Sequence, residues 1–193
     1  MRSEGIEIMA PVGSYESLMA AIQAGANAVY FGLNKLNMRS RSSANFNEDD
    51  LDQIISVCRK YGVRTYLTLN IVVYNNELEQ IKKLIDLAIH KKVSAIIASD
   101  HAVIAYARSR GMEVHISTQV NISNIESVRF YSQFADVVVL ARELNLEQVR
   151  EIADAVKNEN IRGPGGELLK LEMFIHGALC MSVSGKCYLS LHE

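Results

Sequence analysis

The chain alternates, without a reversal, between short apolar runs rich in β-branched residues and amphipathic stretches of helical period. That alternation constrains its fold more than any other feature. Strands are predicted at 6–12, 28–31, 64–69, 95–98, 114–117, 137–140 and 171–175. Helices are predicted between them, at 15–24, 48–61, 77–90, 102–110, 125–134 and 146–156. In the second helix Leu51, Ile54, Ile55 and Cys58 fall at i, i+3, i+4 and i+7, one buried face. Ser14 is placed to cap the first helix and Asn47 the second, while Gly25, Gly62 and Gly111 close three of them. Strands that are apolar on both faces and always followed by a helix imply a parallel sheet covered by helices. Seven such strands favour an α/β fold of the (β/α)8 TIM-type barrel class over an open doubly wound sheet. The absence of a GxGxxG turn after the first strand weakens the dinucleotide-binding alternative. An eighth strand and helix are missing from the pattern. The expectation is an incomplete barrel, truncated C-terminally, with residues 1–193 as the N-terminal barrel domain of a longer protein.

A net charge of −2 gives no global basic field, which counts mildly against nucleic acid but leaves room for a local basic pocket. No apolar run reaches the roughly 18 residues of a membrane span, and residues 1–5 are polar rather than a secretory leader. A reducing, cytoplasmic setting is expected, in which three cysteines do not make a disulfide framework.

Barrel chemistry gathers at the C-terminal ends of the strands. Those ends carry Pro11, Gly13 and Ser14; Gly32; Asn70; Ser99 and Asp100; Thr118, Gln119 and Asn121; Arg142 and Glu143; and His176. Loop ends are polar in any protein, so no one of these is decisive. A ring holding Asp100, Gln119, Arg142 and His176 together points to a shared ligand pocket. The segment 34–45 adds Lys35, Arg39, Arg41 and Asn45 at the same rim. It reads either as a solvated basic loop or as an anion-binding one, since guanidinium forks grip carboxylate and phosphate. Arg162-Gly163-Pro164-Gly165-Gly166 falls at the opposite end of the barrel and reads as a flexible turn.

Cys58 lies on an apolar stripe and reads as a small buried hydrophobe. Cys180 and Cys187 differ, because they follow the seventh strand with Gly177 and Gly185 beside them. Their spacing is too long for CxxC redox chemistry. It is compatible with two ligands of a thiolate-bound metal or iron–sulfur centre, which needs two more. A nucleophilic Cys180 with His176 as base is the alternative, although no third group to orient the base is identifiable. His115, between apolar neighbours, reads as a satisfied core or rim histidine; His90 and His101 have no partners that spacing identifies. No HExxH signature is present.

Glu172-x-Phe174-x-x-Gly177-Ala178-Leu179-Cys180-x4-Gly185-x-Cys187-x-Leu189-Ser190 resembles the signature of the collagenase-like peptidase family. Ala10-Pro11-Val12-Gly13-Ser14, Gly25 to Gly32, Thr68-Leu69-Asn70, Ser99-Asp100, Ser117-Thr118-Gln119-x-Asn121 and Leu140 to Leu144 resemble its other blocks. The resemblance implies an N-terminal barrel. It also implies oxygen-independent hydroxylation dependent on a [4Fe–4S] cluster, giving 5-hydroxyuridine in tRNA or 5-hydroxycytidine in rRNA, with prephenate as hydroxyl source. Other members of the family act in pairs in anaerobic ubiquinone synthesis. Cys180 and Cys187 match two of the family's cluster ligands, the other two being expected beyond residue 193. On this reading Asp100, Gln119 and His176 orient substrate or relay a proton. Arg39, Arg41, Asn70, Asn121 and Arg142 bind substrate or an anionic co-substrate. The partners are tRNA or rRNA, with no membrane, and the assembly is a homo- or heterodimer. A collagenase-like peptidase and a non-enzymatic, cluster-holding partner subunit are the alternatives.

Overall fold

A computed structural model describes residues 5–33, 46–177 and 182–186. Seven parallel strands alternate with six helices: β1 (Met9–Pro11), α1 (Tyr15–Gln23), β2 (Ala28–Phe31), α2 (Leu51–Tyr61), β3 (Arg64–Leu69), α3 (Leu78–Lys91), β4 (Ala95–Ala98), α4 (His101–Ser109), β5 (Val114–Ile116), α5 (Ile125–Ser132), β6 (Val137–Val139), α6 (Leu146–Asn158) and β7 (Lys170–Glu172). The sheet order is the chain order, β1 to β7. Among the described residues β1 and β7 each pair on one side only, so the sheet curls as an incomplete barrel.

The helix ends follow their side chains. Ser14 Oγ accepts from the Ser17 N–H while Ser17 Oγ accepts from the Ser14 N–H, a complete capping box on α1. Asn145 and Gln148 build the same box on α6. Gly62 closes α2 at φ +66°, a left-handed conformation that costs glycine little. Asn47 acts earlier than its predicted role. Its Oδ1 accepts from the N–H groups of Asp49 and Asp50 and sets a turn, so α2 starts at Leu51 rather than at 48.

Two cores result. The outer one packs Leu18, Leu51, Ile54, Ile81, Leu84, Val103 and Val128 from the helices onto Leu67, Leu69, Ile96, Ile116 and Val138 of the sheet. Each such burial stabilises by about 1.5–3 kcal/mol. Cys58 is buried in it, as expected, and burial pushes its thiol pKa up to about 11. The inner core, on the barrel lumen, holds Ala28, Tyr66, Ala95 and Ile97 with Met9 and Tyr30.

The glycine-rich turn 163–166 is anchored. Gly165 N–H donates to Asp136 Oδ1 at 2.6 Å, and Arg108 stands 3.6 Å from the other carboxylate oxygen. A Cβ at Gly163 would lie 2.5 Å from Asp136 Oδ1 and 2.7 Å from Asp136 Cα. Gly163→Ala should therefore cost about 1–3 kcal/mol by overpacking. In the full-length protein that is a fall in melting temperature of roughly 2–12 °C, read by calorimetry. An unchanged melting temperature would mean that the turn moves freely.

Candidate active-site rim

β5 ends at Ile116, and its next residue, Ser117, caps a single 3-10 turn over Thr118–Val120. Ser117 is buried; its Oγ accepts from the Gln119 N–H at 3.3 Å and from Asn70 Nδ2 at 3.4 Å. Asn121 then takes a left-handed conformation, φ +57°, which asparagine tolerates. That turn brings Ile122 back beside Leu140, and the Ala141 N–H donates to the Ile122 carbonyl at 2.8 Å. The tops of β5 and β6 are thereby locked together, with Gln119, Asn121, Arg142 and Glu143 along one stretch of rim.

Onto this stretch docks 182–186, the described part of the segment between Cys180 and Cys187. Ser184 is fully buried. Its Oγ accepts from the Arg142 N–H and from Arg142 Nε, each at 3.3 Å, and from Thr118 Oγ1 at 3.5 Å. Its own N–H donates to Glu143 Oε1 at 2.8 Å. Arg142 Nη2 reaches the Ser182 carbonyl at 3.4 Å. Burial works against the Glu143 carboxylate, but the bonds from Ser184 and the charge of Arg142 hold its pKa below the ordinary value. Gly185, at φ +78°, lies so close to the Gln119 carbonyl that no side chain fits between them. Arg142, predicted to bind substrate or an anion, and its neighbour Glu143 thus spend much of their hydrogen bonding on this segment. Ser184, at the centre of these contacts, falls on an unspecified position of the cysteine signature and was missed by sequence reasoning.

Asp100, predicted to orient substrate or relay a proton, follows the end of β4. It caps α4, with Oδ1 accepting from the Ala102 N–H at 2.8 Å, and Oδ2 accepts from the Val73 N–H at 3.3 Å. Both oxygens fix backbone. His176 is exposed, four residues past the end of β7. Arg39, Arg41, Cys180 and Cys187 lie outside the described residues. Among the described residues no three of His, Cys, Asp and Glu converge as metal ligands.

Beneath the rim runs a charged network of Glu7, Arg64, Tyr66, Glu113, His115 and Glu172. His115, 2% exposed, approaches Glu113 Oε1 through Nε2 at 3.0 Å and Glu172 Oε2 through Nδ1 at 3.7 Å. Arg64 bridges Glu113 at 2.8 Å and Glu7 at 3.3 Å. Tyr66 O–H donates to Glu7 Oε1 at 2.5 Å, and its ring packs at a tilt against the His115 ring, centroids 4.6 Å apart. Burial, then the bond to Glu7, raises the Tyr66 pKa. Burial opposes charge on His115, but the two carboxylates outweigh it and raise its pKa. Glu113 is likewise opposed by burial, yet His115 and Arg64 bring it down to about 2. A signal was available: Arg64-x-Tyr66-x-Thr68 and Glu113-x-His115 put polar groups on one face at period two.

Peptidase family U32 matches residues 13–193. The chain belongs to that family. It is 60% identical over its whole length to a collagenase of Porphyromonas gingivalis, covering 47% of that protein. It is 33% identical to a tRNA hydroxylation protein of Bacillus subtilis, over 96% of this chain and 42% of that one. The same identity holds to the 23S rRNA 5-hydroxycytidine synthase of Escherichia coli, over 97% and 27%. The U32 chain therefore spans less than half the length of these relatives. Its fold superposes on a solved U32 peptidase with a TM-score of 0.66 at 13% identity, over 80% of this chain and 67% of that one. Relatives named collagenase and relatives named for tRNA or rRNA hydroxylation thus align over nearly the whole of this chain, as the resemblance around Cys180 implied. No helix among the described residues is long and apolar enough to cross a membrane.

Proposed function

We propose that this U32 chain is the barrel of an oxygen-independent RNA hydroxylase that converts a pyrimidine C5–H to C5–OH in tRNA or rRNA, with prephenate as hydroxyl donor. The observation that carries this reading is the docking of 182–186. The polypeptide linking two cysteines is clamped by buried Ser184 and side-chain-free Gly185 onto the rim where barrel chemistry gathers. Cys180 and Cys187 stand two and one residues along the chain from that clamp. Paired thiolates suit iron–sulfur ligation, so the donor set fits half of a [4Fe–4S] site, the other two ligands coming from elsewhere in the protein. Hydroxylation oxidises C5 by two electrons, which would return to the hydroxyl donor as its C–O bond breaks and the C5 proton leaves; a bound cluster would relay those electrons one at a time. The chain's own residues bind and orient. Gln119, Asn70 and Asn121 offer amide donors and acceptors to a base edge. Arg39 and Arg41 offer guanidinium forks to phosphate or carboxylate. Arg142 and Asp100 hold the rim in shape, and exposed His176 is free to move a proton.

The test uses the full-length protein purified without oxygen. It should carry iron and sulfide, and Cys180→Ala should lose them; iron unchanged in the variant would overturn the ligand assignment. RNA from cells lacking the gene should lose one 5-hydroxylated pyrimidine by mass spectrometry, and an unaltered RNA profile would overturn the activity. A peptidase is the second reading, favoured by the 60% identity to a collagenase. It demands peptide cleavage by the same preparation, abolished in Cys180→Ala.

A further inference from the structure

On the outer face of the barrel, α2 from Asp52 to Lys60 and the C-terminal end of α3 line an open groove of about 540 Å³. Arg59 and Lys60 line it from α2, and Lys91 and Lys92 line it from the end of α3. The carboxylate in its wall, Asp52, is paired with Lys91 at 2.6 Å and ties the two helices together. Four cations against one carboxylate leave three positive charges on a chain whose net charge is −2. Cations at helix C-termini are ordinarily explained by the dipole. Each terminus carries only about half a negative charge, so two of them neutralise about one of the three. Roughly two uncompensated charges remain.

Lys92 is a second sign. It occupies the left-handed cap of α3 at φ +63°. The comparable position after α2 is Gly62, and the other left-handed non-glycine residues among those described are Asn121 and Asn160. A lysine in that conformation costs on the order of 1 kcal/mol relative to glycine. The cation is thus kept where a neutral residue would cap the helix better.

We infer that this groove binds the phosphodiester backbone of the RNA substrate, at a point remote from the reacting base; the inference rests on the hydroxylase reading above. Helices in this fold run from the rim towards the opposite end of the barrel. At 1.5 Å per residue the 14 residues of α3 set Lys92, at the far end of the groove, on the order of 20 Å from the rim end of that helix. A mononucleotide cannot occupy both places. A folded RNA can, and phosphate contacts position a nucleic acid without reading its sequence.

The experiment measures binding of total tRNA, and in a second arm of ribosomal RNA, to the full-length protein over a range of KCl concentrations. Each cation–phosphate contact contributes about 0.7–0.9 to the slope of log K on log salt. Arg59→Gln with Lys60→Gln should weaken binding about tenfold and reduce the slope by about 1.4–1.8. Lys92→Asn should reduce it by about 0.7–0.9 while leaving the melting temperature equal or higher, because asparagine suits the left-handed cap. That opposite movement of stability and affinity separates an RNA contact from a structural one. RNA bound by wild type and variants with equal affinity and slope overturns the groove alone. No RNA binding by the wild type overturns the groove and the hydroxylase reading together. Variant-sensitive binding of poly-glutamate in place of RNA overturns the groove as an RNA site in favour of an acidic protein.

Discussion

Gly185→Ala should leave the barrel folded and abolish the proposed metal site. The new methyl group has nowhere to go: at φ +78° a Cβ is strained in any surroundings, and here it would press into the Gln119 carbonyl oxygen. The obstacle is backbone of the 3-10 turn that locks β5 to β6, so it cannot swing aside as a side-chain tip would. The cheaper relaxation is for 182–186 to lift off. The bonds lost are those of Ser184 to Arg142, Thr118 and Glu143, worth roughly 0.5–1.5 kcal/mol each net. None belongs to the helix–sheet core. The measurements are made on the full-length protein. Melting temperature should fall by only a few degrees, while proteolysis between residues 180 and 187 should accelerate at least tenfold. Iron retained after anaerobic purification should drop to the level of Cys180→Ala. Ser184→Ala should show the same pattern more weakly, since it removes an acceptor but adds no clash. Full iron and an unchanged cleavage rate in Gly185→Ala would mean that the clamp does not position the cysteines.

Much of this architecture was readable from periodicity. Among the described residues, apolar i, i+3, i+4 faces and short β-branched runs located the six α-helices and seven strands but not the 3-10 turn Thr118–Val120, because in a parallel barrel each element is selected mainly by what it buries. The errors have local causes. The run 171–175 looks like a five-residue strand, but its partner β6 stops at Val139, opposite Glu172. With no ladder to join there, Met173 to Ile175 leave the sheet, and Ile175 is 82% exposed. The candidate site was legible as a list of strand ends but not as a set of contacts. Nothing in the sequence says that Arg142 and Glu143 will grip Ser184, about 40 residues later, because that contact depends on which strand ends face one loop. Asp100 shows the same limit. An aspartate after a strand is equally a catalytic group or a helix cap, and two backbone N–H groups claim this one. The lumenal charges are hidden for a different reason: His115 alone looks like an isolated core histidine, and only its alternation with Glu113 marks a polar face.

Glu113→Gln should cost the full-length protein about 2–4 kcal/mol and change how its stability varies with pH. Removing one member of a buried charge network strands the others, typically at 3–5 kcal/mol, and the 29% exposure of the Glu113 side chain softens the loss. Arg64 keeps Glu7, but His115 keeps only Glu172, at 3.7 Å. The signs follow from the pKa directions. Glu113 is depressed to about 2, so its contribution is present above the usual glutamate value of about 4.5 and is lost as pH falls through 2. His115 is raised above 6.5, so its contribution is complete below pH 6.5 and is lost as pH rises through its folded value. Wild-type stability from this network therefore peaks between about pH 4.5 and 6.5 and declines on both sides. In Glu113→Gln the acid limb due to Glu113 disappears, and the alkaline limb shrinks because burial then acts on His115 against one carboxylate instead of two. Urea denaturation at pH 4, 5.5 and 8 reads both limbs, and a double-mutant cycle with His115→Gln should return a coupling of about 0.5–3 kcal/mol. Identical stability and pH dependence in wild type and Glu113→Gln would show that the network contributes nothing. A loss at pH 5.5 should also reach the rim, because His115 lies two residues before Ser117 on the same inward face, and Ser117 holds both Asn70 and the turn carrying Gln119. The charge in the lumen is then the floor on which the clamped cysteine segment is built.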